Sequence, residues 1–317
     1  MCIDLMKAPE EPWGRREYLL YEFLRVVLKS STSYVRDHYK SRELLEASYR
    51  FVEYDLLEAP SIDIDSFERV EIFPWLEAQN DLCAALDQAL MGYHRASFDH
   101  QRRSLELIVI GAWFVSESAT EAEAQDWMTS HAKTPRFTET LEDLAKHNLY
   151  SELESKTRWV REVKEFYWSL CDISHVRGVQ KGVDAVQPRN FRIGGWPAPK
   201  CSEEALEKAL DSFVATISYI ALVISLSNPV LLFGLPIEEK FGINGPASGF
   251  YGEGQAENLR ALIPEKHRDA LVNLAQADNR VMGYRDWVSS RPDLTVEQLK
   301  VQLNDFSKQF QQSKNSK

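Results

Sequence analysis

The stretch "GYHRASFDHQRRSLELIVIGAWFV", Gly92–Val115, decides the fold class. Phe98, Leu105 and Ala112 recur along it, and Leu82, Leu86 and Leu90 lead into it. Such spacing puts apolar side chains on one face of a helix, whereas a half-buried strand would alternate. The pattern runs from Trp75 to Ser116 and reads as one long helix, or as two with a break near Gly92. Between Leu105 and Val115 the single charge is Glu106. A carboxylate in that setting must find a partner or shift its pKa toward neutrality. Arg102 lies four residues before it and Arg103 three, so either side chain reaches it on a helix.

Helical periodicity continues on both sides. "RREYLLYEFLRVVLKSS" sets Tyr18, Tyr21, Leu24 and Leu28 on one face. "SRELLEASYRFVEYDLLE" follows, with Ser41 as N-cap and Leu44, Leu45, Tyr49, Val52 and Leu56 on one face. Pro74 opens the next helix. A further helix is predicted from Glu152 to Val176, ending near Gly178. "NFRIGGWPAPK" reads as a turn-rich interruption or small hairpin, and Ser202 as the cap of the helix that follows. "IPEKHRDALVNLAQADNRVMGYRDWV" and "PDLTVEQLKVQLNDFSKQF" read as two C-terminal helices, the second opened by a Thr295–Gln298 capping box. The predicted class is all-α. It comprises a helical bundle over residues 1–241, a glycine-rich connector over 242–254, and a helical extension with a disordered tail over 255–317.

Composition narrows the function. The chain has 317 residues and a net charge of -11, which disfavours broad binding to nucleic acid through phosphate. Cys2, Cys83, Cys171 and Cys201 form no CxxC pair, so neither a disulfide framework nor structural zinc is expected, and a reducing cytoplasm fits. The start of the chain lacks the pattern of a signal peptide and the glycine needed for myristoylation. "SFVATISYIALVISLSNPVLLFGLPI" is uncharged and long enough to span a bilayer. Its Ser, Thr216, Asn228, Pro229 and Pro236 favour a buried core helix from Phe213 to Leu226, and no membrane association is expected.

Two polar groups are candidates for chemistry. Arg102 and Glu106 form either a register-fixing ion pair or one wall of a pocket. His175 and Arg177 sit at the predicted end of the helix in "EFYWSLCDISHVRG". If that helix packs on the one carrying Glu106, the carboxylate can orient His175 as a general acid or base. The alternative is a histidine that caps its own helix and packs on Trp168. Beyond it, Arg177, Lys181, Arg189 and Arg192 gather in one loop, as solvated charges or as a site for phosphate or single-stranded RNA. Other chemistries lack their signatures. There is no HExxH and no GxSxG, and Asp172 with His175 lacks the second ExxH of a di-metal bundle. "FGINGPASGFYGEG" has no GK[ST] ending, so it reads as a connection and not a phosphate loop. No metal or cofactor is expected.

"GYHRASFDHQRRSLELI" and "FYWSLCDISHVRG" resemble two helices of uncharacterised bacterial all-helical proteins with LRxxxE and YxxLSxxxH patterns. "PDLTVEQL" resembles a C-terminal feature of the same proteins. The resemblance covers about Leu76 to Val230. Here Gln101 replaces an aliphatic residue of the pattern, so Arg103 competes with Arg102 as the matching arginine. These proteins are loosely HEPN-like, a group that includes ribonucleases of antiviral defence. The resemblance therefore implies a helical bundle in which Arg102, Glu106 and His175 approach one another. The R-x(4–6)-H ribonuclease spacing occurs at Arg95–His100 and Arg260–His267, about as often as chance predicts. On one straight helix Arg95 and His100 lie about 140° apart. Two functions follow. The first is a non-enzymatic module that forms a homo-oligomer or binds a protein or small ligand. The second is a metal-independent ribonuclease using His175 with Arg102 or Arg177, or Arg95 with His100.

Overall fold

The structure is a computed structural model that describes residues 11–56, 73–116, 119–174, 202–236 and 251–290, with 240, 293, 295, 297 and 298. Among them are twelve α-helices and no strand beyond an isolated Leu235–Gly252 bridge. The chain is all-α.

Helix α1 spans Pro12–Asp37 and α2 spans Arg42–Arg50, continuing into a π-turn at Phe51–Asp55. The α1 start is set by Pro12 at its first turn and by the Glu11 carboxylate, which accepts from Trp13 N at 3.0 Å and from Gly14 N. The face expected of α1 is corrected: Tyr21 and Leu28 are exposed, while Val27 and Ser31 are buried. Along α2 and the π-turn, Leu45, Val52 and Leu56 are buried as expected, but Leu44 and Tyr49 are exposed. The extra residue of the π-turn rotates the helix and brings Phe51 and Asp55 inward beside Val52 and Leu56. Ser41 occupies the N-cap position of α2 without a side-chain capping bond.

The run from Trp75 to Ser116 is two helices, α3 (Phe73–Leu90) and α4 (His94–Phe114). They break where Gly92 adopts φ +80°, a left-handed conformation that favours glycine. They lie side by side, and the Trp75 indole donates to Ile108 O at 3.0 Å. Gly111 is required by this contact, since a Cβ there would overlap the Trp75 ring. After α5 (Glu121–Met128) and α6 (Phe137–Leu144), the helix predicted from Glu152 to Val176 is instead α7 (Asn148–Thr157) and α8 (Trp159–Ser174). Arg158 takes a left-handed φ of +56° between them. Trp159 is wholly buried there, its indole bonded to Tyr150 O.

Helix α9 (Glu203–Ser227) is capped by Ser202 as predicted and ends in a 3-10 turn at Pro229–Leu232. It is long and apolar enough to cross a bilayer, with a mean hydropathy of 1.9 over its most apolar window. In this fold 72% of that window is buried, and α9 packs against α2, α3, α4 and the 3-10 turn that follows it. Helices α10 (Glu253–Leu262), α11 (Glu265–Gln276) and α12 (Asn279–Ser290) complete the order. The first C-terminal helix read from the sequence is thus two, broken at Ala277–Asp278. Tyr251, Ala256, Leu259, Leu262, Leu271 and Ala275 belong to the same core as α3, α4 and α9. Buried Asp55 ties the first helices to α10, accepting from Gln255 Nε2 at 3.2 Å and Asn258 Nδ2 at 2.8 Å. The Thr295–Gln298 capping box is present, with Thr295 N donating to Gln298 Oε1 at 3.0 Å. The predicted hairpin and residues 242–250 of the connector lie outside the described residues.

Candidate functional site: a charged seam along the central helix

Helix α4 is the centre of the bundle, in contact with α3, α6, α8 and α9. Its inward residues, Ser97, Phe98, Gln101, Ser104, Leu105 and Ile108, are buried. The remaining strip of its surface carries Arg95, Asp99, Arg102, Arg103 and Glu106. A helix presents residues three and four apart on one side, so this spacing forms a continuous line of alternating charge.

On the α8 flank the line is a chain of hydrogen bonds. Arg102 Nη1 donates to Glu106 Oε1 at 2.7 Å, and Arg102 Nη2 to Asp99 Oδ1 at 3.3 Å. The same Glu106 oxygen accepts from the Tyr167 hydroxyl at 2.5 Å. Arg95 Nη2 closes the line by donating to Ser174 O at 2.9 Å. Tyr167 therefore faces Glu106 while Ser174 faces Arg95, so α8 runs antiparallel to α4. Both members of the Arg102–Glu106 pair are mostly buried, with side chains 17% and 25% exposed. Burial, reinforced by the adjacent carboxylate, holds the Tyr167 phenol far above its ordinary pKa. Burial also raises the Cys171 thiol, which is therefore a packing residue and not an activated nucleophile. For Arg102 burial is the largest influence and opposes the charge, but Glu106, Tyr167 and Asp99 together outweigh it and raise the pKa.

On the α3 flank the centre is Asp81. Its carboxylate accepts from Arg103 Nε at 3.0 Å and also contacts Arg103 Nη2. His100 Nδ1 lies 2.9 Å from Asp81 Oδ1. The Asp81 side chain is 10% exposed, which gives its two partners the task of offsetting a nearly buried charge. The imidazole, one-quarter exposed, is thereby held by one nitrogen.

The choice left open for Glu106 is resolved: its partner is Arg102, and Arg103 turns the other way to Asp81. His175, Arg177, Lys181, Arg189 and Arg192 lie outside the described residues. Ser174, the residue before His175, meets α4 at Arg95, eleven positions or about 16 Å along the helix from Glu106. The residue of α8 that does reach Glu106 is Tyr167. Arg95 and His100 point apart, one to Ser174 and the other to Asp81. Arg260 and His267 likewise part company, Arg260 donating to Leu232 O and His267 Nε2 lying 2.9 Å from Glu162.

Sequence reasoning missed Asp81 and the hydroxyl of Tyr167. Asp81 could have been found: it falls between Ala78, Leu82 and Ala85 on the apolar face of its helix, the same anomaly that marks Glu106. Gln101 was visible only as a departure from an aliphatic pattern. It is wholly buried, donating to Ser97 Oγ and Ala209 O and accepting from Ser212 Oγ at 2.7 Å and Thr216 Oγ1 at 3.3 Å. Among the described residues no cluster of three or more His, Cys, Asp or Glu is arranged to hold a metal ion. Comparison of the chain with protein-family models, curated protein sequences and solved structures gives no match.

Proposed function

We propose that this protein is a non-enzymatic helical interaction module. The observation that carries the reading is the internal neutralisation of the seam. Arg102 is held by Glu106 and Asp99, and Arg103 by Asp81. Cations committed to carboxylates do not offer the uncompensated charge that phosphate contact requires. The acidic chain points the same way. The bacterial defence or stress setting, and a place in the cytoplasm, rest on the resemblance and on cysteine usage.

One observation favours a metal-independent ribonuclease as the second reading. The Asp81 carboxylate orients His100, and an imidazole held through one nitrogen is a form of general base. The two readings separate in one experiment. Purified full-length protein is incubated with total RNA and chelator, beside His100→Ala and His175→Ala variants. Intact RNA throughout is the expected outcome. Cleavage by the wild type that either variant loses would replace the module with the nuclease.

A further inference from the structure

Helices α11 and α12 follow α10 through a two-residue link, Ile263 and Pro264, both in extended conformation. Their attachment to the rest of the protein is thin. Among residues 265–290 four are buried, His267, Leu271, Ala275 and Val281, and Ala270 and Leu274 pack on the core from partly buried positions. The polar ties are exposed or part-buried. Lys266 meets Glu162, Arg280 Nη1 donates to Ser227 O at 2.8 Å, and the Tyr284 hydroxyl donates to Gly234 O at 2.7 Å. Asp293, just past α12, adds an exposed contact with Lys240. Segments with so few buried groups open locally, at a smaller free energy than the whole fold. One of the four buried anchors is titratable.

His267 suits the interior only while it is neutral. Its side chain has no exposed surface, Nε2 lies 2.9 Å from Glu162 Oε2, and Nδ1 is buried without a partner. Facing it are Glu162 on α8, Glu154 on α7 and its own neighbour Lys266. The 3-10 turn packed on α11 carries no titratable residue. In the neutral ring Nε2 donates to Glu162 and Nδ1 is a bare acceptor. A second proton creates a buried N–H with no acceptor, while the Glu162 carboxylate is already matched by Lys266. Burial accordingly lowers the pKa, ahead of the opposing pull of Glu162. In water the ring takes its proton at about 6.5, so the docked state is favoured above that pH and weakens below it. We propose that protonation of His267 releases α11 and α12 together from α7 and α8, hinging at Ile263–Pro264, while the rest of the bundle stays folded. Acid thereby uncovers the α11 face that carries Leu271 and Ala275, and the part of α7 beneath it.

The test is hydrogen–deuterium exchange of the full-length protein, read by mass spectrometry at about pH 7.5 and about pH 5.5 and corrected for the direct effect of pH on exchange. Residues 265–290 are expected to be less protected than α4 and α9 at both values. At the lower one they should lose about tenfold in protection, the ratio set by an unfolded pKa of about 6.5. His267→Gln keeps a donor for Glu162 without a titrating ring and should abolish that loss. Three results overturn the proposal: protection of 265–290 that does not change with pH, protection equal to that of α4 and α9, or a loss that His267→Gln retains. If His267→Gln is itself undocked at about pH 7.5, the wild-type ring decides by its nuclear magnetic resonance titration. A midpoint below about 6.5 supports the release, and an ordinary histidine titration overturns it.

Discussion

The Tyr167 hydroxyl and the Arg102 guanidinium share one oxygen, Oε1 of Glu106, at 2.5 Å and 2.7 Å. One carboxylate thereby joins a pair within α4 to a residue of α8. The phenol keeps its proton because burial and the neighbouring anion raise its pKa. The three groups consequently behave as a structural unit that fixes how α8 lies along α4.

Removing parts of that unit gives the first prediction. Tyr167→Phe deletes one donor and should cost about 1 kcal/mol. Glu106→Gln leaves Arg102 with a weaker partner in a mostly buried position and should cost about 1–3 kcal/mol. Because both act through one oxygen, the double variant should cost less than the sum of the singles. Urea unfolding of all four proteins measures this, and strict additivity would show that the shared oxygen does not couple them.

Gln101 should prove more sensitive than its neutral side chain suggests. Gln101→Leu supplies the aliphatic residue that the LRxxxE pattern favours, yet leaves the part-buried Ser212 hydroxyl without its acceptor, while Thr216 keeps its bond to Ser212 O. Unpartnered buried groups cost about 1–3 kcal/mol, so Gln101→Leu should destabilise by about the lower figure. A thermal midpoint equal to or above that of the wild type would contradict this.

Gly111 tests the packing of α3 on α4. Gly111→Ala improves helix propensity, yet its methyl group meets the Trp75 ring, itself hydrogen-bonded to Ile108 O. Overpacking of this kind costs about 1–3 kcal/mol and outweighs a propensity gain of about 1 kcal/mol. Combining Gly111→Ala with Trp75→Phe should be less damaging than the two separate losses summed.

Two buried histidines give a pH dependence with a defined sign. Burial lowers His94 to about 4, and it also lowers His267. His267 has no exposed surface, one nitrogen on Glu162 and the other buried without a partner. The unfolded chain binds protons on these groups more readily than the folded one. Their contribution is complete above the ordinary histidine pKa of about 6.5 and is lost as pH falls below it. For His94 the loss continues down to about 4 and reaches about 3 kcal/mol. Denaturant unfolding between pH 7.5 and 4 should show a steeper fall for wild type than for His94→Phe. Parallel curves would mean that His94 does not hold a depressed pKa.

Much of the architecture was legible because local chemistry specifies it. The break at Gly92 needs a left-handed residue, Ser202 offers a capping oxygen, and the uncharged run of α9 has to be buried or cross a bilayer. The Glu106 anomaly also stood out, since one carboxylate among apolar neighbours demands a partner wherever the helix lies. Other features were illegible because they depend on where elements meet. Residues 15–31 place apolar side chains around much of α1, and only the body of the fold selects Val27 and Ser31 for burial. The break at Arg158 has neither glycine nor proline to announce it, and α8 starts there because Trp159 packs inward.

The sequence by itself determined an all-helical chain and the need for a partner at Glu106. Those follow from periodicity and from the cost of burying charge, which act over one or two helical turns. Tertiary structure alone decided that Arg102 and Tyr167 are the partners, that Arg103 belongs to Asp81, and that Gln101 anchors α9. Such choices depend on the rotation and register of helices packed side by side, and residues far apart in the chain set those jointly.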